Sequence, residues 1–172
     1  MRLRPYRKTD FTYIENWITD ERTHALWCAN MLSFPLSSEE FHTKLEQNEK
    51  DWGSCGFTFT DEAGKPVGFL TYSINEKENS GFVTFAIVDS KERGKGNGTQ
   101  MMKLLLQYAY MITNVSSVKL NVFDCNQGAR KCYEGVGFET VSVTPEAFSY
   151  EDEKWGRCFM VARREQNEAG QY

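Results

Sequence analysis

The stretch that decides the fold is Val88-Asp89-Ser90-Lys91-Glu92-Arg93-Gly94-Lys95-Gly96-Asn97-Gly98-Thr99. Before it, the apolar run at residues 81–88 predicts a central strand, and after it the apolar spacing of residues 98–112 predicts an amphipathic helix. Its glycines remove side chains where the backbone must approach a ligand closely. The following helix offers unpaired N–H groups at its positive end. Together with the basic residues of the stretch, this pattern predicts a phosphate-binding loop.

The spacing of the glycines excludes two common phosphate-binding motifs. A P-loop requires GxxxxGK[ST], and no glycine here is followed by Lys-Ser or Lys-Thr. A dinucleotide fingerprint requires GxGxxG, but the third glycine is replaced by Thr99 in one register and by Met101 in the other. Taken alone, the loop is also compatible with an ordinary glycine-rich turn.

The remaining pattern predicts an α+β fold. Strand 81–88, helix 98–112 and a strand at 117–122 predict a parallel crossover inside a mixed sheet. The core face of that helix is expected to carry Met101, Leu104, Leu105, Tyr108 and Ile112. The other predicted elements are strands at 2–6, 55–60, 66–74, 138–143 and 155–162, two short helices within 10–29, and helices from Ser37 to about 48 and from 126 to 136.

Length and composition indicate one folded domain. The chain has 172 residues, of which 40% are hydrophobic and 14% aromatic, so it can bury a core without disulfides or metals. We expect a single domain over residues 1–172, with a polar, frayed tail at 163–172. The five cysteines lack a CxxC pair, which favours free thiols over a zinc site and indicates a reducing, cytoplasmic compartment.

The charge balance limits the partners that the protein is expected to bind. The net charge of −4 argues against general nucleic-acid binding and mildly favours a cationic or neutral partner. Neither a signal peptide nor an apolar run long enough to span a membrane is evident. The segment 91–95 is nevertheless locally basic, as docking of a polyanionic cofactor requires.

A second motif follows the loop and carries a family resemblance. Arg-x-x-Gly-x-Gly, from Arg93 to Gly98, is followed by Asn126-x-x-Ala129-x-x-x-Tyr133-x-x-x-Gly137-Phe138. In this order the two motifs resemble the GNAT superfamily of acetyl-CoA-dependent N-acetyltransferases, most closely the branch of ribosomal-protein N-terminal acetyltransferases. The resemblance implies one α+β domain with a mixed, mostly antiparallel sheet of about six to seven strands and helices on both faces.

The resemblance also implies roles for individual residues. Ala86 and Val88 would offer backbone groups to the pantetheine arm and the thioester carbonyl, and Asn126 would contact the pantetheine arm or the CoA tail. Tyr133 would protonate the departing thiolate, and its hydroxyl is still protonated at neutral pH because a free tyrosine has a pKa of about 10. A core aromatic is the competing interpretation of Tyr133. The backbone amides that would hold the pyrophosphate are those of Arg93, Gly94, Lys95, Gly96, Asn97, Gly98 and Thr99.

The general base is the one role that the resemblance leaves open. The related branch has a glutamate five residues before the asparagine, but here that position is Asn121, which cannot accept a proton at pH 7. An acyl-cysteine on Cys125 or Cys132 is less favoured, because direct attack in a ternary complex needs no enzyme nucleophile. The alternatives for the base are a water chain or the side chains of Asp124, Glu39, Glu40, His24 and His42.

The sequence thus predicts an acyltransferase that uses acetyl-CoA as cosubstrate and no metal. The acceptor is expected to be a primary amine, either a protein or peptide N-terminus or a small cationic amine such as a polyamine or an aminoglycoside-like molecule. No membrane or nucleic-acid partner is expected, and the protein is expected to be a monomer or homodimer. The alternative function is a non-catalytic sensor that binds acyl-CoA and acts through a protein partner.

Overall fold

The computed structural model describes residues 1–164, which form a seven-stranded sheet and five α-helices. In chain order the elements are β1 (Arg2–Pro5), α1 (Phe11–Trp17), α2 (Glu21–Cys28), α3 (Ser38–Trp52), β2 (Cys55–Thr60), β3 (Pro66–Asn75), β4 (Ser80–Val88), α4 (Asn97–Met111), β5 (Ser117–Phe123), α5 (Gln127–Glu134), β6 (Phe138–Tyr150) and β7 (Glu153–Arg163). Short 3-10 turns precede α1 and α4.

The sheet has the strand order β1-β2-β3-β4-β5-β7-β6. The pair β4–β5 is parallel, and every other neighbouring pair is antiparallel. The parallel pair is connected through α4, as the strand–helix–strand pattern predicts. The predicted α+β class, with a mixed and mostly antiparallel sheet, is therefore confirmed.

The two faces of the sheet are covered by different helices. On the face we call the α4 face, Val83, Leu120 and Met160 pack in one core with the apolar side of α4. On the opposite face, the α2 face, Phe69 and Phe85 pack against the first three helices. The alternation of side chains along each strand separates these two cores. Helices on both faces of the sheet are therefore confirmed.

One predicted core residue of α4 lies outside the core. Ile112 is 71% exposed, because α4 ends at Met111 and Ile112 follows as its C-terminal cap. Met102 and Ala109 are instead completely buried. The buried stripe of α4 is thus wider than the sequence pattern indicates, as expected of a helix that packs over the middle of a sheet.

The strands β4 and β5 diverge towards their C-terminal ends. They pair only from Ser80–Ser117 to Val83–Leu120, although both strands continue beyond these pairs. At the same point β4 contains a bulge, where one residue of β3 lies opposite both Phe85 and Ala86. Phe85 has φ +52°, which is a strained conformation for a bulky residue. The divergence opens a wedge in the sheet next to the glycine loop.

A buried ion pair fixes the N-terminal strand to the first helix. The carboxylate of Asp10 accepts hydrogen bonds from both terminal nitrogens of Arg4 at 2.8 Å, from Arg7 N at 2.9 Å and from Thr58 Oγ1 at 2.8 Å. Burial alone would raise the pKa of Asp10, but these donors outweigh that effect and lower it. This network sets where α1 begins on the α2 face.

The hairpin β6–β7 extends further than predicted and contacts α2. Its tip carries Tyr150 and Trp155, which stack with centroids 4.9 Å apart. The guanidinium of Arg22 lies 5.1 Å from the Trp155 ring and forms an ion pair with Glu153. Ala25 of α2 is buried in the same cluster. The hairpin therefore holds α2 across the ends of β5 and β7.

The predicted frayed tail is ordered at its start. Arg163 is the last residue of β7, and the amide of Arg164 donates to Ser116 O at 3.0 Å. The rest of that predicted tail, residues 165–172, lies outside the described residues. Within residues 1–164, none of the helices is both long enough and apolar enough to cross a membrane.

Candidate active site

A cleft of about 680 Å³ occupies the wedge between β4 and β5. Its walls are the diverging strands, the glycine loop, the start of α4 and α5, while Thr23, Leu26 and Trp27 of α2 close one end. All of the site residues predicted from the sequence line this cleft except Lys95. The residues brought together are Ala86, Val88, Arg93, Gly94, Gly96, Asn97, Gly98, Thr99, Asn126 and Tyr133.

The glycine loop presents backbone groups to the cleft. Gly94 and Gly96 have φ +73° and +80°, and residues with a Cβ rarely adopt this left-handed region. Gly96 is the N-cap residue of α4 and, because it has no side chain, it accepts no capping hydrogen bond from the first turn of that helix. The first N–H groups of a 15-residue helix are therefore directed at the cleft, where they favour an anion.

Two basic side chains line the cleft near this helix terminus. Arg93 Nε donates to Val88 O at 3.2 Å, which holds the guanidinium against the end of β4. Lys131 of α5 also lines the cleft and was not predicted from the sequence. Lys95 instead forms an ion pair with Glu92 at 3.1 Å. The positive charge expected beside the loop thus comes from Arg93 and Lys131.

The helix α5 begins at Asn126 and places Tyr133 on the same side of the cleft. Asn126 Oδ1 accepts from Ala129 N at 3.3 Å, so this side chain caps the helix. Tyr133 is half-buried, and its ring lies 5.9 Å from that of Phe138. Burial raises the pKa of Tyr133, with a smaller contribution from Cys132 beside it. The hydroxyl therefore carries its proton at neutral pH and can act only as a donor of that proton.

The cysteines next to this site are unsuited to nucleophilic catalysis. Burial raises the pKa of Cys132 and also that of Cys125. Cys132 packs closely against the start of α4, since a Cβ on Gly98 would lie 3.2 Å from its Sγ. The side chain of Cys132 thus acts as packing between α4 and α5. No group of three metal-ligating side chains occurs within residues 1–164.

The end of the cleft below α2 contains a hydrogen bond that sequence reasoning missed. Trp27 Nε1 donates to Phe85 O at 2.8 Å, and this carbonyl belongs to the bulge of β4. This bond depends on the bulge in β4 and leaves no sequence signal. Trp27 thus holds the strained backbone segment that lines the centre of the cleft.

The five side chains considered as general base all lie outside the cleft lining. His24 is 2% exposed and contacts Cys28 and Asn30. His42 bonds to Tyr6 Oη and Ser38 O, both at 2.8 Å.

The three carboxylates in that group are also directed elsewhere. Glu40 accepts from Ser33 N, while Glu39 is exposed on α3. Asp124 lies against Gly156, where a Cβ would come within 2.5 Å of its carboxylate. Asn121 does line the cleft, on the α2 face. Among the residues that the structure describes, the titratable ones in the lining are Arg93, Lys131, Cys132 and Tyr133.

Comparison with known proteins agrees with this architecture. The chain is 35% identical over 94 residues to an N-acetylaspartate synthetase of Xenopus tropicalis, covering 55% of this chain and 34% of that protein. It is 32% identical over 109 residues to the synthetase of Danio rerio, covering 61% of this chain and 38% of that protein. The chain thus spans about a third of the length of these curated relatives.

Solved structures share the fold over nearly the whole chain. A spermidine N-acetyltransferase from Vibrio cholerae, solved with CoA and spermine, matches with a TM-score of 0.79 and 21% identity over 94% of both chains. The family model described as "Acetyltransferase (GNAT) family" matches residues 12–138, which include the glycine loop, the diverging strands and Tyr133. The chain therefore belongs to the acetyltransferase (GNAT) family.

Proposed function

We propose that the protein transfers an acetyl group from acetyl-CoA to a primary amine by direct attack, with both substrates bound at once. The observation that carries this proposal is one cleft that joins the glycine loop, the unpaired edge of β4 and Tyr133. Acetyl-CoA supplies a thioester carbonyl as electrophile and a thiolate as leaving group. The membership in the GNAT family supports this choice of cosubstrate.

The phosphate groups of the cosubstrate fit the loop end of the cleft. The amides between Arg93 and Thr99 offer several N–H donors, and the α4 terminus adds its positive end. Arg93 adds a positive charge at the same end, and Lys131 adds a second one to the cleft lining. Charge-assisted bonds of this kind are the strong ones in proteins. We therefore assign pyrophosphate binding to this end.

The acyl group fits the middle of the cleft. Beyond Val83 the edge of β4 has no strand partner on the side of β5, so backbone groups of Ala86 and Val88 are available to the pantetheine arm. Backbone N–H groups beside the bulge can stabilise negative charge that develops on the thioester oxygen. Tyr133 then donates its proton to the sulfur as the carbon–sulfur bond breaks.

The amine is proposed to lose its proton to water. A protonated amine cannot attack, and the described cleft lining contains no aspartate, glutamate or histidine that could accept the proton. The open end of the cleft gives water access to the acceptor. We expect kcat/KM to rise about tenfold per pH unit until the pH reaches the pKa of the acceptor amine.

Trp27 is expected to position the bulge during the reaction. Trp27→Phe keeps an aromatic ring against Phe85 and Phe41 but removes the donor to Phe85 O. We expect kcat to fall about 10-fold. This loss is smaller than that caused by removing a hydrogen-bond donor that contacts an oxyanion directly. Trp17→Phe, a matched change in the same apolar core, is expected to lower the melting temperature without this loss. Equal losses of kcat and stability in both variants would mean that Trp27 only packs.

The proposed activity is tested by release of free thiol from acetyl-CoA in the presence of amines. We expect thiol release above the rate without amine, and millimolar acetyl-CoA is expected to raise the melting temperature by about 5 °C or more when it exceeds its Kd 100-fold. A melting shift without thiol release for any amine would favour the acyl-CoA sensor. The absence of both would remove the cosubstrate assignment.

The acceptor and the cellular setting are also proposals. The relatives' names point to amines of opposite charge, since one is an N-acetylaspartate synthetase and another a spermidine N-acetyltransferase. The thiol-release assay therefore includes both a peptide N-terminus and a small cationic amine as acceptors.

The cellular location and the extent of the domain are further proposals. The exposed free thiols of Cys55 and Cys125 support a cytoplasmic location. We treat residues 1–172 as one acetyltransferase domain.

A further inference from the structure

The position of Asn121 indicates the side of the sheet from which an acceptor can reach the thioester. Leu120 and Val122 on either side of it belong to the core of the α4 face. Since side chains alternate along a strand, Asn121 lies on the α2 face, as does Phe123, which packs against Ala25 of α2. The phosphate-binding loop starts α4 on the opposite side, so an acceptor has access from the α2 face.

The residues around Asn121 on this face follow from the strand register. In β7, Phe159 lies opposite Asn121, and Arg157 lies opposite Phe123. We call the residues within two register positions of Asn121 on this face the acceptor surface. It consists of Phe82, Thr84, Lys119, Asn121, Phe123, Glu139, Ser142, Thr144, Arg157, Phe159 and Val161.

The acceptor surface contains two basic residues, Lys119 and Arg157, and one acidic residue, Glu139, which lies on β6, two strands from Asn121, and forms an ion pair with Arg163 at 3.9 Å. Lys119 forms an ion pair with Glu78, and this contact lowers the pKa of the Glu78 carboxyl. Arg157 is exposed and forms no ion pair with any residue between 1 and 164. Its position along β7 is two residues, about 7 Å, from that of Phe159 opposite Asn121. Arg157 is thus the unpaired charge closest to Asn121 on this surface.

The acidic residues of the hairpin tip lie much further away. Glu153 is six residues from Phe159 along β7, which corresponds to roughly 20 Å. It is also already paired with Arg22. Glu151 and Asp152 follow still further out, in the turn between β6 and β7. These carboxylates are therefore too distant to balance a second positive charge on an acceptor whose amine lies beside Asn121.

We propose that the acceptor is a primary amine that carries a carboxylate a few ångströms from its nitrogen, and that Arg157 binds this carboxylate. The proposal rests on the proposed acetyl transfer. A guanidinium binds a carboxylate through two parallel hydrogen bonds, which orients the acceptor as well as attracting it. A polyamine would bring further positive charge against Arg157, which is unfavourable. Free amino acids and peptides with an acidic first residue both have the required chemistry.

The test compares four amines in the thiol-release assay with acetyl-CoA. The probes are L-aspartate, the peptide amide Asp-Ala-Ala-NH2, L-asparagine amide as a matched amine without a carboxylate, and spermidine. We expect the two carboxylate-bearing amines to have kcat/KM values at least about 10-fold above the other two. The first two probes separate a free amino acid from a peptide terminus as the source of the carboxylate.

Arg157→Gln is expected to remove this preference. The ratio of kcat/KM for the better carboxylate-bearing amine to that for L-asparagine amide should fall about 10- to 100-fold, mainly through KM. Arg163→Gln is the matched control. Arg163 is also an arginine on the same face of β7. It lies at the C-terminal end of that strand, opposite Ser117 of β5. The ratio should stay unchanged in this control.

Three results would overturn the proposal. Spermidine could be acetylated faster than either carboxylate-bearing amine, or Arg157→Gln could lower all rates by the same factor, as a purely structural role would. In both cases thiol release persists, so the acetyltransferase function stands and only the acceptor class is wrong. If acetyl-CoA shifts the melting temperature but none of the amines releases thiol, the proposed function fails together with this inference.

Discussion

Replacement of Gly96 by glutamate is expected to raise the Kd for acetyl-CoA at least about 100-fold. Gly96 precedes the first turn of α4 and has φ +80°. A glutamate there strains the left-handed backbone and places a negative charge beside the N–H groups assigned to the pyrophosphate. Loss of one or two charge-assisted hydrogen bonds suffices for the expected effect. Isothermal titration of acetyl-CoA into the purified variant measures this change in Kd.

The control for this substitution is Gly64→Glu. Gly64 has φ +87° in the turn between β2 and β3, with nothing within 4 Å of an added Cβ. Gly96 likewise has nothing within 4 Å, so the two substitutions impose the same kind of backbone strain. Both variants should melt a few degrees below the parent protein. If Gly96→Glu binds acetyl-CoA within threefold of the control, the loop is only a turn.

The sequence predicts much of the cleft because two short motifs are connected by a known kind of crossover. The glycine loop must precede α4, and Asn126 and Tyr133 lie two helical turns apart on one side of α5. Once α4 packs beside β4 and β5, both motifs face the same wedge. The resemblance of the two motifs to the GNAT superfamily therefore implies one site for the loop and Tyr133, and both line the cleft.

Other parts of the site depend on geometry that leaves no local pattern. Lys131 is five residues from Asn126, a spacing that does not mark the same side of a helix, yet it lines the cleft. The bond of Trp27 to Phe85 O requires the bulge in β4, and bulges carry no reliable signal in one sequence. The full length of β6 was missed because most of its side chains are exposed and show no alternation.

The absence of Glu at position 121 has a consequence for catalysis. Asn121 lies where the related branch has a glutamate, and none of the other candidate bases lines the described cleft. An acid at position 121 would favour cationic amines as well as accept a proton. With asparagine in its place, Arg157 is the charge nearest position 121 on that surface that forms no ion pair within residues 1–164. Asparagine at position 121 thus has two proposed consequences: water deprotonates the amine, and the acceptor surface binds an anionic group on the acceptor.

Tyr133→Phe is expected to lower kcat about 100-fold and to leave the KM for acetyl-CoA within about threefold. The substitution removes the proton that Tyr133 is proposed to give to the departing sulfur and keeps the ring against Phe138. Because the pKa of Tyr133 is raised above its ordinary value of about 10, the hydroxyl does not lose its proton below pH 10. The parent enzyme should therefore show no decline of kcat between pH 7 and 9.5 from this group. Initial rates of thiol release across that range measure both effects.

The matched control is Tyr110→Phe. The hydroxyl of Tyr110 is buried on α4 away from the cleft and has no hydrogen-bond partner among the described residues. Its removal should leave kcat within about twofold and should not lower the melting temperature, since an unsatisfied buried polar group is lost. If Tyr133→Phe behaves like this control, its hydroxyl donates no proton in the rate-limiting step, and the leaving thiolate is protonated by water.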